Sequence, residues 1–142
     1  MPIDIKILKS GDEHILANVA PEVFDHAVIP AQAAAFLRDT RHHLAVALDD
    51  GLVVGMASAV DYIHPDKPVE LWINEVGVAP THQRRGIGTR LLLALFDLAR
   101  DLGCKEAWVL TNRSNVAAMG LYQSLHATKP DDDVVLFSFA LA

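Results

Sequence analysis

Residues 70–102 read ELWINEVGVAPTHQRRGIGTRLLLALFDLARDL, and their pattern decides the fold. Leu71 to Val78 is an apolar, β-branched run suited to a buried strand, and Ala79-Pro80 ends it. A polar loop follows, Gln83-Arg84-Arg85-Gly86-Ile87-Gly88. Beyond it Ile87, Leu91, Ala94, Leu95, Leu98, Ala99 and Leu102 recur at helical spacing, which predicts a long helix with one buried face. The first amides of a helix have no internal partner, and that end carries partial positive charge. Glycines let an anion approach such amides closely. Arg84, Arg85 and Arg90 add positive charge, so the turn reads as a cradle for a phosphate or diphosphate. It is not a nucleotide P-loop, because G-x-x-x-x-G-K-[ST] is absent. Nor is it the dinucleotide fingerprint, since Leu91 stands where the third glycine belongs.

Around this stretch the chain has 142 residues, enough for one domain with a single core. With 51% hydrophobic and 21% charged residues it is globular rather than disordered. No apolar run is long enough to span a membrane, and the N-terminal segment lacks the apolar core of a signal peptide. One cysteine, Cys104, excludes an internal disulfide and is expected to be a buried, inert thiol. These features predict a soluble cytoplasmic protein without a membrane partner. The net charge of -6 argues against nucleic-acid binding and favours a cationic partner. The seven histidines show no ligand spacing such as H-E-x-x-H, so no metal is expected.

Outward from the central stretch, Ile3 to Leu8 alternates as a first strand. Ser10 and Glu13 resemble a capping box before a helix through Ile15, Leu16 and Val19. Pro30 opens a second helix, Ala31 to Arg38. His43 to Leu48 and Leu52 to Tyr62 form a hairpin about Asp49-Asp50-Gly51. Gly55 marks a bulge or a close backbone approach, and Gly77 permits a bulge. After the long helix, Gly103 ends it and Ala107 to Thr111 is a strand. A helix then carries Val116, Met119, Leu121, Tyr122 and Leu125, and Val134 to Leu141 is a last strand. The order is that of a mixed α/β (α+β) domain with antiparallel and parallel parts.

Two motifs in this order resemble a known family. Gln83 to Gly88 fits Q/R-x-x-G-x-G/A, and Asn115 to Tyr122 fits N-x-x-A-x-x-L-Y, both similar to signatures of the GNAT superfamily of N-acetyltransferases. The resemblance covers the chain by element order and Glu70 to Leu125 by motif. It implies a single GNAT domain over residues 1–142, with a twisted mixed sheet of about six to seven strands flanked by about four helices. It implies acetyl-CoA as co-substrate and a primary amine as acceptor. The central strand and the next would splay apart, with the pantetheine arm pairing at Val76 and Val78. The amides of Arg84, Arg85, Gly86, Ile87 and Gly88 would hold the diphosphate, with Thr89 and Arg90 at its edge and Gln83 in the first motif position. Asn115 would contact the coenzyme arm. In the family the irregular helices after the first strand commonly wall the acceptor site.

Tyr122 would stand at the thioester sulfur. Amine attack on a thioester expels a thiolate, and a phenol with pKa about 10 keeps a proton to give it. Its alternative is an aromatic packed in the core with its hydroxyl at the rim. The Val78 N–H is a candidate to stabilise the developing carbonyl oxygen. The acceptor amine must lose a proton before it attacks. Glu75 is the chosen carboxylate, as base or as a site for the substrate's cation, and both roles stay open. Strand alternation sets Glu75 on the opposite face from Glu70, Asn74 and Val76, with Glu70 as the reserve base.

The Leu71-Trp72-Ile73 and Glu75-x-Gly77-Val78 pattern, with the ending Asp132 to Phe139, looks like the aminoglycoside 3-N-acetyltransferase branch. On that resemblance Glu75 and Asp131 to Asp133 would form an acidic acceptor pocket. The plain alternative is a solvated turn before an edge strand. Two departures bear on the acceptor: His126-Ala127 replaces a common Gly-Phe pair, and Asn112-Arg113-Ser114 replaces an acidic pair. Alternatives are a peptide or protein N-acetyltransferase, a polyamine acetyltransferase, and a non-catalytic acyl-CoA-binding regulator. Many relatives pair as homodimers, and the apolar last strand would assist that.

Overall fold

The computed structural model describes residues 2–130 and 132–142. The chain falls into two compact units, Met1–Leu110 and Thr111–Ala142. The first holds β1 (Asp4–Ile7), α1 (Pro30–Arg38), β2 (His42–Asp49), β3 (Leu52–Tyr62), β4 (Glu70–Val78), α2 (Ile87–Asp101) and β5 (Ala107–Val109). Two 3-10 turns, Glu13–Ala17 and Pro80–His82, complete it. The second holds α3 (Val116–Ser124) and the C-terminal segment.

The strands form one sheet in the order β1-β2-β3-β4-β5, antiparallel except for the parallel β4–β5 pair. The β2–β3 hairpin turns at Asp50 and Gly51, both with positive φ, as a two-residue hairpin turn requires. β2 and β3 are buried on both faces, which is why they read as near-continuous apolar runs. α2 lays Ile87, Leu91, Leu92, Leu95 and Ala99 against the sheet. Gly55 makes that packing close: a Cβ there would lie 3.1 Å from Ile87 and 3.3 Å from Leu91. A register shift beside it, with Ala47 opposite Gly55 and Leu48 opposite Val53, leaves Val54 as the extra residue of a bulge. Trp72 and Trp108 are paired across β4 and β5, and their rings stack with centroids 5.0 Å apart.

Three expectations are corrected. The sheet has five strands among the described residues, not six or seven, because residues 134–142 adopt no regular structure. Apolar side chains suited to a strand are present there, but the segment pairs with no strand among the described residues. The segment through Ile15 and Leu16 is a single 3-10 turn, not an α-helix, and Ser10 and Glu13 form no capping box. Asp12 instead accepts a hydrogen bond from the Lys9 amide at 2.9 Å. The facing of residues along β4 also departs from the expected alternation, because its register with β3 shifts between Ile73 and Glu75.

Candidate active site

β4 pairs with β3 along its whole length but with β5 only over Leu71–Ile73. Past Ile73 that edge of β4 has no strand beside it among the described residues. Which amides face the gap follows from the hydrogen bonds. Leu71 N–H bonds the Glu106 carbonyl on the β5 side, and Ala79 N–H bonds Val54 on the β3 side, at 3.0 and 2.8 Å. Regular alternation would send residues 71 and 79 the same way. A bulge reverses the phase: Ser58 pairs with Glu75 and Ala59 with Ile73, so Asn74 is extra. Val76 and Val78 therefore present their backbone to the open edge. Both valines thus lie on the part of β4 beyond its pairing with β5.

The same bulge overturns the expected facing of the carboxylates. Glu75 does not lie opposite Glu70. Paired with Ser58 and Tyr62, they project on one face, together with Trp72 and Gly77, away from α2. Their partners are four residues apart on β3, so the two carboxylates are separated by roughly 13 Å along the strand. Glu75 is exposed. Glu70 is already engaged, with His64 Nε2 at 2.8 Å and Lys67 Nζ at 4.0 Å. Only Glu75 of the two lies beyond the β5 pairing, beside the opening.

The segment between the first 3-10 turn and α1 covers part of this face. Val23 is buried, and a Cβ on Gly77 would collide with its carbonyl oxygen. Residue 77 thus admits only glycine for a reason of close approach, with the bulge three residues earlier. A cavity of about 820 Å³ opens within this segment, and Glu13, Glu22 and Asp25 are on its wall. Glu22 has φ 67, the left-handed region. Sequence reading missed Glu22 and Asp25, which sit in a stretch with no period to flag them.

The cradle begins where β4 ends. Gln83 donates to the Val78 carbonyl at 3.2 Å. Arg84 (φ 63) and Gly86 (φ 75) are both left-handed, and Gly86 is the N-cap of α2. Alternating backbone of this kind turns successive N–H groups toward one concavity, suited to an anion. Nothing lies within 4 Å of a Cβ built on Gly86, so the concavity is open there. Ile87, Gly88 and Thr89 supply the free first amides of the helix. Arg90 is drawn off: its guanidinium donates to the Ile3 carbonyl at 2.8 Å.

In the second unit Asn115 caps α3, its Oδ1 accepting from the Ala118 amide at 3.1 Å. Tyr122 lies on that helix, half-buried, and burial pushes its phenol above the ordinary value. Leu125 is the C-cap, and His126 next to it has φ 65. Of the acidic run, Asp131 lies outside the described residues. Asp132 and Asp133 are exposed, and Asp133 lies 3.7 Å from Arg113. Burial, with the Asp61 and Glu70 carboxylates, pushes the Cys104 thiol up, away from reactive thiolate. No cluster of three metal-ligating side chains occurs among the described residues. No helix there is long and apolar enough to cross a membrane.

Comparison with known proteins bears on this geometry. Residues 13–127 match the family model described as "Acetyltransferase (GNAT) family", a span reaching into both compact units. The chain is 31% identical over 126 residues to N-alpha-acetyltransferase RimI of Mycobacterium tuberculosis, covering 87% of this chain and 77% of that protein. Among solved structures, an aminoglycoside acetyltransferase from an uncultured soil metagenomic sample superposes with a TM-score of 0.85. It has 20% identity and covers 99% of this chain and 97% of its own. The aminoglycoside N-acetyltransferase AAC(6')-Iy in complex with CoA gives a TM-score of 0.76 at 21% identity, over 99% and 96% of the two chains. At these identities the structural likeness speaks for the fold.

Proposed function

Because the chain belongs to the GNAT family of acetyl-CoA-dependent N-acetyltransferases, we propose that it acetylates the primary amine of a small cationic acceptor, such as an aminoglycoside, by direct attack. The observation that carries the proposal is the unpaired edge of β4 running straight into the glycine cradle. A pantetheine arm pairs with Val76 and Val78 there while its diphosphate rests on the amides of Arg84, Arg85, Gly86, Ile87 and Gly88. Gln83 and Thr89 border that cradle, and Asn115 meets the coenzyme arm. Residues 1–142 act as one domain, with the cytoplasm as compartment, in keeping with a single free cysteine.

The chemistry follows from the residues. A cationic amine loses its proton to Glu75, directly or through a water, and attacks the thioester carbonyl. The Val78 N–H, fixed in advance, stabilises the oxyanion. The C–S bond breaks as Tyr122 gives its proton to the departing thiolate, and the surplus proton on the new amide nitrogen passes to the Tyr122 phenolate through water. A phenol held above its ordinary pKa stays protonated for this step. The net charge of -6 and the carboxylates Glu13, Glu22 and Asp25 at the cavity favour a cationic acceptor. Nucleic acid and membrane have no part in it.

A second acceptor class is favoured by the 31% identity to an N-alpha-acetyltransferase: a peptide α-amine. One experiment separates them. Thiol release from acetyl-CoA is followed with aminoglycosides, polyamines and peptides bearing free α-amines. Turnover confined to the polycations supports the first acceptor class, and turnover confined to peptides replaces it with the second. CoA binding without turnover of any amine points to a non-catalytic acyl-CoA-binding regulator.

A further inference from the structure

Given that residues 83–88 hold the diphosphate, as proposed above, their shape depends on what fixes them. Among the described residues no backbone hydrogen bond holds Gln83, Arg84 or Arg85, and one side-chain bond ties Gln83 to Val78. The loop is therefore set by its two ends. One end is α2, packed on the sheet through Ile87 and Leu91. The other is His82, the last residue of the Pro80–His82 turn. Its Nε2 lies 2.7 Å from Asp49 Oδ2 and its Nδ1 lies 2.7 Å from Thr81 Oγ1. With Nε2–H donated to the carboxylate, Nδ1 accepts from the hydroxyl, so a neutral ring satisfies both contacts. Turning the ring breaks two hydrogen bonds at once.

Asp49 is a firm anchor. It is the last residue of β2, immediately before the hairpin turn, and Asn18 donates to Gly51 across that turn at 3.3 Å. Ala79, at the head of the same 3-10 turn, bonds the Val54 carbonyl. The turn is thus pinned at its start to β3 and at its end to β2. The Asp49 carboxyl is held below its usual range, first by the hydrogen bond from His82, with the charge of Arg85 also contributing.

We propose that Asp49 and His82 are positioning residues for the acyl carrier: they hold the cradle in its diphosphate-binding shape without touching the ligand. Nothing about either residue type marks this in sequence, since they lie 33 positions apart. The test uses the full chain and titration calorimetry with two ligands, CoA and pantetheine, which lacks the diphosphate. Asp49→Ala and His82→Phe each weaken CoA about tenfold, and the double variant is no weaker than either, as a coupled pair requires. Pantetheine affinity stays at the wild-type level in all three, which also shows that the variants are folded. His82→Gln keeps a donor and recovers most of the loss. Unchanged CoA affinity in the single variants, equal losses for both ligands, or multiplying losses in the double variant would each overturn the proposal. Wild-type chain that binds CoA no better than pantetheine removes the cradle itself, and the positioning role with it.

Discussion

Tyr122 and His126 stand four positions apart, and each shows what a single environment does to a side chain. Burial raises the Tyr122 phenol above the ordinary tyrosine value. The sign of the linkage follows: with the folded pKa raised, the buried phenol's contribution to stability is whole below the unfolded value and fades as pH rises through the folded one. Activity that needs the proton should share that upper limit. Tyr122→Phe should lower kcat about a hundredfold or more, the usual scale for a general acid, and leave the KM for acetyl-CoA near wild type. The alkaline limb of the kcat profile should disappear with it, and a profile that keeps the limb assigns the proton elsewhere. His126 has φ 65, directly after the C-cap of α3, where glycine costs least. His126→Gly should stabilise the α3 unit by about 0.5–1 kcal/mol, since relief of left-handed strain is partly offset by a freer unfolded chain. Thermal denaturation of the two chains side by side measures it.

At the scale of the element, β4 separates what a sequence displays from what it withholds. The strand, the glycine turn and the α2 helix were legible because their signals are local: an apolar run, a breaker, a period of 3.6. The bulge at Asn74 was not, because only pairing with β3 reveals that Glu75 and Ile73 sit opposite adjacent residues. A single extra residue reverses every facing beyond it, and with that the relation of Glu75 to Glu70. Gly77 was legible as special, but its reason was not: the Val23 carbonyl, 54 positions away in the chain, fills the space a Cβ needs. Gly77→Ala should therefore cost roughly 1–3 kcal/mol, as overpacking does, by pushing the 18–30 segment off the face. The KM for the acceptor should rise while CoA affinity changes little, because the open edge of β4 at Val76 and Val78 is left in place. Equal losses for acceptor and CoA would show that the strand itself, not its cover, had moved.

For the molecule as a whole, the family and the order of elements were legible, and the C-terminal segment was not. Residues 134–141 carry apolar side chains suited to a strand, yet they are irregular and exposed, with Phe137 77%, Phe139 83% and Leu141 94% accessible. A run of six large apolar side chains left in water is costly, and it is the surface we propose for self-association into the homodimer that the family resemblance implies. In an extended segment Val135, Phe137, Phe139 and Leu141 fall on one side, so two antiparallel copies present the same face to each other, as a two-fold interface requires. The areas set the scale. Four phenylalanine rings burying roughly 150–250 Å² each supply about 600–1,000 Å². A stable interface needs about 1,200 Å², so Val135 and Leu141 must join them. A double variant, Phe137→Glu with Phe139→Glu, removes most of that area and sets like charges across the contact. Light scattering should then give twice the chain mass for wild type and the single chain mass for the variant. Wild-type chain that runs as a monomer, or a variant that remains a dimer, would remove the segment from the interface.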